Sequence, residues 1–135
     1  VLERHLDEVP ASDRPCLVHF DLRPGNVLVN SERFVGIIDF ESCRGGHASM
    51  DFFKLWQQVA PRAPGWLDHI LHGYRSTARV TEAWMEPAAL DRLMRIYSAY
   101  HGVAGLAWCH SRNDFSGTFL DVNRELIRTA DGGLT

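Results

Sequence analysis

The sequence predicts an α+β fold that is predominantly helical, with a small β hairpin near the start of the chain and a helical bundle after it. Short runs rich in valine and isoleucine, separated by turn residues, occupy residues 16–40. Later segments instead repeat apolar residues at three- and four-residue steps. The 135 residues are 45% hydrophobic and 23% charged, as in ordinary globular chains. We expect one domain over residues 1–135, with a helix end and linker (1–15), a loop-and-hairpin region (16–47) and a helical part (48–130).

Three short strands are predicted in the first third of the chain. Residues 16–20 form an apolar run, and residues 27–29 and 34–40 are rich in β-branched residues. The polar residues 30–33 have turn chemistry, so the last two runs predict a hairpin. Two adjacent glycines in the following segment, residues 41–47, predict an irregular loop.

Helical periodicity dominates the rest of the chain. Ser49 is predicted as the N-cap of a helix over residues 50–59. The strongest signal begins at Pro87, which suits a first helical turn, and one apolar face is predicted from Leu90, Leu93, Met94, Tyr97, Tyr100, Ala104 and Trp108. This helix is predicted over residues 87–111. Further helices are predicted over residues 1–8, 66–76 and 117–130, and a polar linker is predicted over residues 10–15.

Composition and charge argue against several classes of protein. The net charge is −3, whereas a general nucleic-acid binder needs a basic surplus. The longest nearly apolar stretch, residues 102–109, is far shorter than the roughly 20 residues that cross a bilayer. Three widely spaced cysteines form neither a metal motif nor a disulfide framework. We therefore expect a cytoplasmic protein with no nucleic-acid or membrane partner.

The segment from His19 to Asn26, together with Asp39, carries the candidate chemistry. Asp21 and Asn26 lie on one short loop, and Asp39 ends the second strand of the predicted hairpin. Because a hairpin brings its two ends together, Asn26 and Asp39 can direct oxygen atoms to one place. Oxygen ligands suit Mg²⁺, and Asp21 beside them would orient a hydroxyl and accept its proton. This arrangement predicts phosphoryl transfer.

The order His-x-Asp-x-x-x-x-Asn, followed by Ile-Asp-Phe, resembles the catalytic signature of the aminoglycoside phosphotransferase and choline kinase-like family, relatives of the protein kinases. The resemblance covers residues 16–56. It implies the C-terminal lobe of a protein-kinase-like fold, with an acceptor-binding helical part. It also implies transfer of a phosphoryl group from ATP or GTP, with Mg²⁺, to a hydroxyl of a small molecule. An aminoglycoside, and hence antibiotic resistance, is one candidate acceptor.

The resemblance implies a role for each matching residue. Asp21 would be the catalytic base that positions the acceptor hydroxyl. Asn26 and Asp39 would bind the metal and, through it, the nucleotide cofactor. His19 would brace the loop, and Asp51 would tie the backbone of the catalytic loop to the helical core.

Three residues depart from the family pattern. Phe20 stands where these phosphotransferases usually have glycine, so the local packing must differ. Glu41 replaces the glycine of the kinase Asp-Phe-Gly triplet. Arg23 lies two residues after the catalytic aspartate, where a cation would steady the transferred phosphoryl group; a structural ion pair is the alternative interpretation.

Complete members of the family also have an upstream β-rich lobe with a phosphate-covering loop and a nucleotide-pairing lysine. The chain begins with Val1 and contains no such lobe in its 135 residues. Its single lysine, Lys54, falls on a predicted helix well past the site. We therefore expect the missing N-terminal lobe of the same protein as a partner, and little activity without it.

Two other function classes stay open at this stage. One is a kinase-like remnant without catalysis that serves as a binding module. The other is a metallohydrolase that uses His19, Asp21, Asp39 and His47, although dinuclear phosphoesterases need more ligands than this. The acceptor is also open, since sugars, amino alcohols, homoserine and macrolides suit the sequence as well as aminoglycosides.

Overall fold

A computed structural model of the protein describes residues 16–63, 65–78 and 82–133, together with residues 5, 7 and 9. The chain forms two compact units, one of residues 11–86 and one of residues 1–10 with 87–135. The predicted helix over residues 1–8 and the predicted linker over residues 10–15 lie outside the described residues, apart from the three single positions. The single domain stays a prediction.

The predicted hairpin is present in the first unit. Strands β2 (Val27–Asn30) and β3 (Arg33–Ile37) pair antiparallel, with Val27 opposite Ile37. Ser31 and Glu32 form the two-residue turn, and both have positive φ angles, 47° and 69°. Such turns match the right-handed twist of the strands they connect. The hairpin therefore returns the chain to Asn26, where the loop before β2 ends.

A second sheet corrects the prediction of an irregular loop over residues 41–47. Strand β1 (Cys16–Val18) pairs antiparallel with β4 (Arg44–Gly46). Gly46 suits this pairing, because a Cβ atom there would lie 3.1 Å from a Val18 methyl group and 3.0 Å from the Met50 sulfur, whereas one on Gly45 would meet nothing within 4 Å. The partner of β4 lies about thirty residues earlier, so local sequence could not reveal it.

The first helix is preceded by a 3-10 turn that the sequence did not predict. The turn spans Ala48–Asp51, and α1 follows over Phe52–Val59. Ser49 is therefore not the N-cap. His47 is the N-cap of the 3-10 turn, where its side chain accepts a hydrogen bond from the Ser49 backbone N–H, and Asp51 is the N-cap residue of α1. Ser49 lies inside the turn and is fully buried.

The core of the first unit is apolar and aromatic. Helix α2 (Trp66–Ala78) extends slightly beyond the predicted segment. Edge-to-face contacts join Phe52 to Tyr74 and to Trp84, with ring centroids 5.4 and 5.3 Å apart. Buried apolar side chains complete this core: Val18, Phe53, Leu55, Leu71 and Met85.

The second unit contains the long helix α3 (Pro87–Ser111), which has the predicted bounds, and α4 (Thr118–Gly133), which continues past the predicted end. The two helices pack closely at the glycines of α3. A Cβ atom on Gly102 would lie 2.6 Å from Ile127, and one on Gly105 would overlap the Asn123 side chain. These glycines let the backbones approach.

Close packing at the glycines changes the predicted apolar face of α3. Leu90, Leu93, Met94 and Tyr97 are buried, as predicted, but Ala104 is exposed and Tyr100 and Trp108 are about half exposed. The buried face instead continues through the two glycines and Cys109, because α4 covers that side. Among the described residues, no helix is both long and apolar enough to cross a membrane.

Candidate active site

Asp21 and Asn26 are joined directly by hydrogen bonds. The loop closes through a 3-10 turn over Pro24–Asn26, in which the Asn26 N–H donates to the Arg23 carbonyl at 2.9 Å. This turn buries Asn26 and directs its side chain back along the loop. Its Nδ2 donates to the Asp21 carbonyl at 2.9 Å and to the Asp21 carboxylate oxygen Oδ2 at 3.1 Å. The orientation of the Asp21 carboxylate is therefore set by the asparagine.

Asp39 is brought to the same place by the hairpin. The Ile38 N–H donates to the Asn26 carbonyl at 3.0 Å. The next residue, Asp39, has φ 70° and ψ 56°, a left-handed conformation that few residues other than glycine, asparagine and aspartate adopt readily. Arg23 lies between the two carboxylates: its Nε is 3.0 Å from Asp21 Oδ2, and its Nη2 is 4.0 Å from Asp39 Oδ2. The structure thus gathers the four residues of the predicted catalytic and metal-binding set.

His19 connects the loop to the end of the hairpin. Its ring is buried and lies against Phe40, with centroids 4.7 Å apart. Nδ1 accepts a hydrogen bond from the Asp21 backbone N–H at 3.3 Å, so Nε2 carries the proton that is donated to the Ile38 carbonyl at 2.8 Å. Both ring nitrogens are therefore used in positioning, and neither is available to bind a metal.

Asp51 holds the start of the same loop. Its two carboxylate oxygens accept hydrogen bonds from the backbone N–H groups of His19, at 3.0 Å, and Phe20, at 2.7 Å. Asp51 ends the 3-10 turn before α1, so these bonds fasten the loop to the helical part of the unit. Bonds from backbone donors to an ionised carboxylate are among the stronger hydrogen bonds in proteins.

The geometry at Phe20 gives a physical reason for the glycine that the family has there. The φ angle of Phe20 is 68°, in the left-handed region that costs a residue with a Cβ atom roughly 1–2 kcal/mol. The Phe20 ring partly offsets this strain, because the Arg44 guanidinium lies 3.8 Å from the ring centroid. Packing with β4 thus accommodates an aromatic residue at a position that suits glycine.

Asn26 and Asp39 have oxygen atoms suited to a magnesium ion. Both Asn26 contacts use its Nδ2 atom, and no described residue donates to its Oδ1. The Asp39 side chain is 39% exposed, and Arg23 contacts it only at 4.0 Å. Mg²⁺ binds few protein oxygens and retains water or phosphate oxygens as its other ligands. The pair therefore fits this ion.

The charges of Asp21 and Arg23 reach Lys54, although the sequence placed this lysine well past the site. Burial lowers the pKa of Lys54, the negative charge of Asp21 raises it, and the positive charge of Arg23 lowers it again. Lys54 follows Asp51 by three residues, and side chains at this spacing are neighbours on a helix. Asp51 is hydrogen-bonded to the loop that carries Asp21. A residue three positions after Asp51 could therefore have been predicted from the sequence to lie near that loop.

His47 and Glu41 do not join the site. His47 Nδ1 accepts hydrogen bonds from Ser49, and its Nε2 lies 3.8 Å from Glu82. Glu41 is exposed. Among the described residues, no group of three or more histidine, cysteine, aspartate or glutamate side chains has metal-binding geometry. The metallohydrolase hypothesis, which required His47 beside His19 and Asp21, is therefore not supported.

Comparison with known proteins gives one match. The family model described as the phosphotransferase enzyme family (APH) matches residues 1–95, well over half of the chain. Neither the search of curated proteins nor the search of solved structures found a match. The matched range includes the loop of residues 19–26, the hairpin and the first helices. On this evidence, the chain belongs to the APH phosphotransferase enzyme family.

Proposed function

We propose that the protein catalyses transfer of the terminal phosphoryl group of ATP, or of GTP, to a hydroxyl group of a small molecule. The observation that carries this proposal is the direct contact of Asp21 with Asn26 and, through Arg23, its link to Asp39. Phosphoryl transfer needs a positioned hydroxyl, a metal clamp and positive charge, with little covalent work by the protein. The four residues supply these elements.

Asp21 is the proposed base. Its Oδ2 already accepts hydrogen bonds from Arg23 and Asn26, whereas no described residue donates to Oδ1. Oδ1 is therefore the atom that receives the acceptor's hydroxyl hydrogen. The two bonds to Oδ2 hold the carboxylate still, which favours attack because the nucleophile is oriented before reaction.

Arg23 is the proposed source of positive charge for the transferred group. Nε is held by Asp21, and Nη2 lies at the edge of contact with Asp39. No described residue accepts a hydrogen bond from Nη1. That nitrogen is oriented by the ion pair and is available to a phosphoryl oxygen, whose negative charge it would stabilise.

Asn26 and Asp39 would hold Mg²⁺ through Oδ1 and the carboxylate. When bound, the ion neutralises phosphate charge and orients the phosphates. The neighbouring part of the hairpin offers an apolar surface, because Leu28, Ile38 and Phe40 are 42%, 44% and 53% exposed. We propose that this surface receives the nucleotide and an N-terminal nucleotide-binding lobe of the same protein.

Metal-dependent phosphoryl transfer by the full-length protein tests the proposal. ATP labelled in the terminal phosphate would be incubated with pools of sugars, amino alcohols and hydroxy acids, and labelled products separated. We expect Mg²⁺-dependent transfer to at least one acceptor, lost on Asp21→Asn and on Asp39→Asn. The control is Asp68→Asn, which removes one exposed carboxylate from α2. Undiminished transfer by Asp21→Asn would contradict the proposed role of Asp21.

A further inference from the structure

Lys54 is held against the catalytic loop by the packing of α1. One helical turn before it, Asp51 accepts hydrogen bonds from the backbone of His19 and Phe20. One residue after it, Leu55 lines an apolar cavity of about 410 Å³ together with Leu22 of the catalytic loop. Contacts on both sides of Lys54 thus fix this part of α1 to the loop that carries Asp21.

The ammonium group of Lys54 has no anionic partner in the described part of the chain. No carboxylate oxygen of a described residue lies within 4.0 Å of Nζ, which is 5.7 Å from the centroid of the neighbouring Phe53 ring. Lys54 is partly buried. A cation that is partly removed from water without a close anion is unfavourable unless a ligand supplies the negative charge.

Lys54 lies on the helix that packs against the loop of the proposed base. Leu22, which lies between Asp21 and Arg23 in the chain, lines the same cavity as Leu55, and the charges of Asp21 and Arg23 both act on the pKa of Lys54. Asp39 belongs to the proposed metal and nucleotide side, and Asp21 faces the acceptor hydroxyl. We place Lys54 on the acceptor side, because α1 is fixed to the loop that carries Asp21.

Resting on the proposed function, we propose that the acceptor carries an anionic group, a carboxylate or a phosphate, which binds to Lys54 while its hydroxyl faces Asp21. Lys54 is then a determinant of acceptor specificity. Two cations beside the base, Lys54 and Arg23, also disfavour a polycationic acceptor, since like charges repel at short range in a partly dehydrated site. The substrate class is accordingly a hydroxy acid or a hydroxylated phosphate ester.

Selective chemical modification can test anion binding independently of catalysis. Lys54 is the single lysine among the 135 residues, so acetylation of its amine is measured on one peptide by mass spectrometry. The full-length protein would be acetylated with glycerate, glycerol 3-phosphate, glycerol or a non-hydrolysable ATP analogue with Mg²⁺, at constant ionic strength. Arg62→Lys places a control lysine at an exposed position of the same unit.

We expect glycerate or glycerol 3-phosphate to slow acetylation of Lys54 at least threefold, and glycerol and the nucleotide to leave it unchanged. The control lysine should react at the same rate in every sample. Protection by the nucleotide alone would assign Lys54 to the phosphate donor and overturn the proposal. Equal reactivity in all samples would overturn it as well.

A kinetic comparison separates this inference from the proposed function. If the acceptor screen finds transfer, Lys54→Met should raise KM for anionic acceptors at least tenfold and leave kcat within about threefold. Neutral acceptors should show no change in KM. Transfer to neutral or cationic acceptors alone would contradict the proposal that the acceptor is anionic. It would still support the proposal that the protein is a phosphotransferase. Absence of transfer to every acceptor would count against the phosphotransferase, while the acetylation result still decides anion binding.

Discussion

The guanidinium of Arg23 lies between the carboxylates of Asp21 and Asp39, 3.0 Å from the first and 4.0 Å from the second. Both side chains of the closer pair are partly exposed, at 43% and 30%. An ion pair with this exposure adds little to the stability of a protein. Folding stability therefore gives little reason for the position of Arg23, and we propose a role in phosphoryl transfer instead.

Replacing Arg23 tests this interpretation. We expect Arg23→Ala to lower kcat for phosphoryl transfer at least tenfold, because charge on the transferred group loses its stabilising donor. Arg23→Lys should recover part of the loss, since it keeps the charge but not the planar fork. Steady-state kinetics with urea unfolding on the same samples would measure both effects. If kcat stays within twofold of the parent, Arg23 is a structural ion-pair residue.

Asp51 should matter for stability as well as activity. Asp51→Ala leaves two backbone N–H groups of the catalytic loop without their acceptor, and we expect a loss of about 3 kcal/mol in the free energy of unfolding. Asp51→Asn should lose less, since an amide oxygen still accepts one bond. Urea unfolding followed by circular dichroism measures the difference. Asp68→Ala, at an exposed position, is the matched control and should change stability by less than about 0.5 kcal/mol.

His47 should make stability depend on pH. Burial lowers the pKa of His47 below 6.5, although Glu82 opposes this shift. As pH falls below 6.5, the unfolded chain gains a proton that the folded chain does not, so the free energy of unfolding decreases until the folded-state pKa is reached. The slope contributed by one group is at most about 1.4 kcal/mol per pH unit.

The pH dependence assigned to His47 is tested with the variant His47→Asn. Its side-chain oxygen can still accept a hydrogen bond from Ser49, but it does not titrate. Urea unfolding of both proteins between pH 7.5 and about 5 gives the difference directly. We expect the parent to lose more stability than the variant over this range. Parallel pH profiles would show that His47 does not titrate differently in the folded and unfolded states.

At position 20, we expect the glycine variant to be more stable than the alanine variant, which is the reverse of the usual order. Phe20→Gly relieves the left-handed strain, whereas Phe20→Ala keeps the Cβ atom and loses the contact of the ring with Arg44. We expect the glycine variant to be more stable than the alanine variant by about 1 kcal/mol in urea unfolding. At Ala107, an exposed position of α3, glycine should instead be less stable by about the same amount. The same order at both positions would mean that Phe20 is not strained.

The sequence alone determined the features that depend on short spacing. The hairpin, the helix over residues 87–111 and the grouping of Asp21, Asn26 and Asp39 follow from neighbouring residues, because turn chemistry and apolar periodicity act within a few positions. The tertiary structure decided what depends on distant partners: the pairing of β1 with β4, the capping role of His47, and the partial exposure of Trp108, whose ring contacts Phe119 of α4. It also held the helix of Lys54 against the loop that carries Asp21, because this contact depends on how a helix packs on a loop distant in the chain.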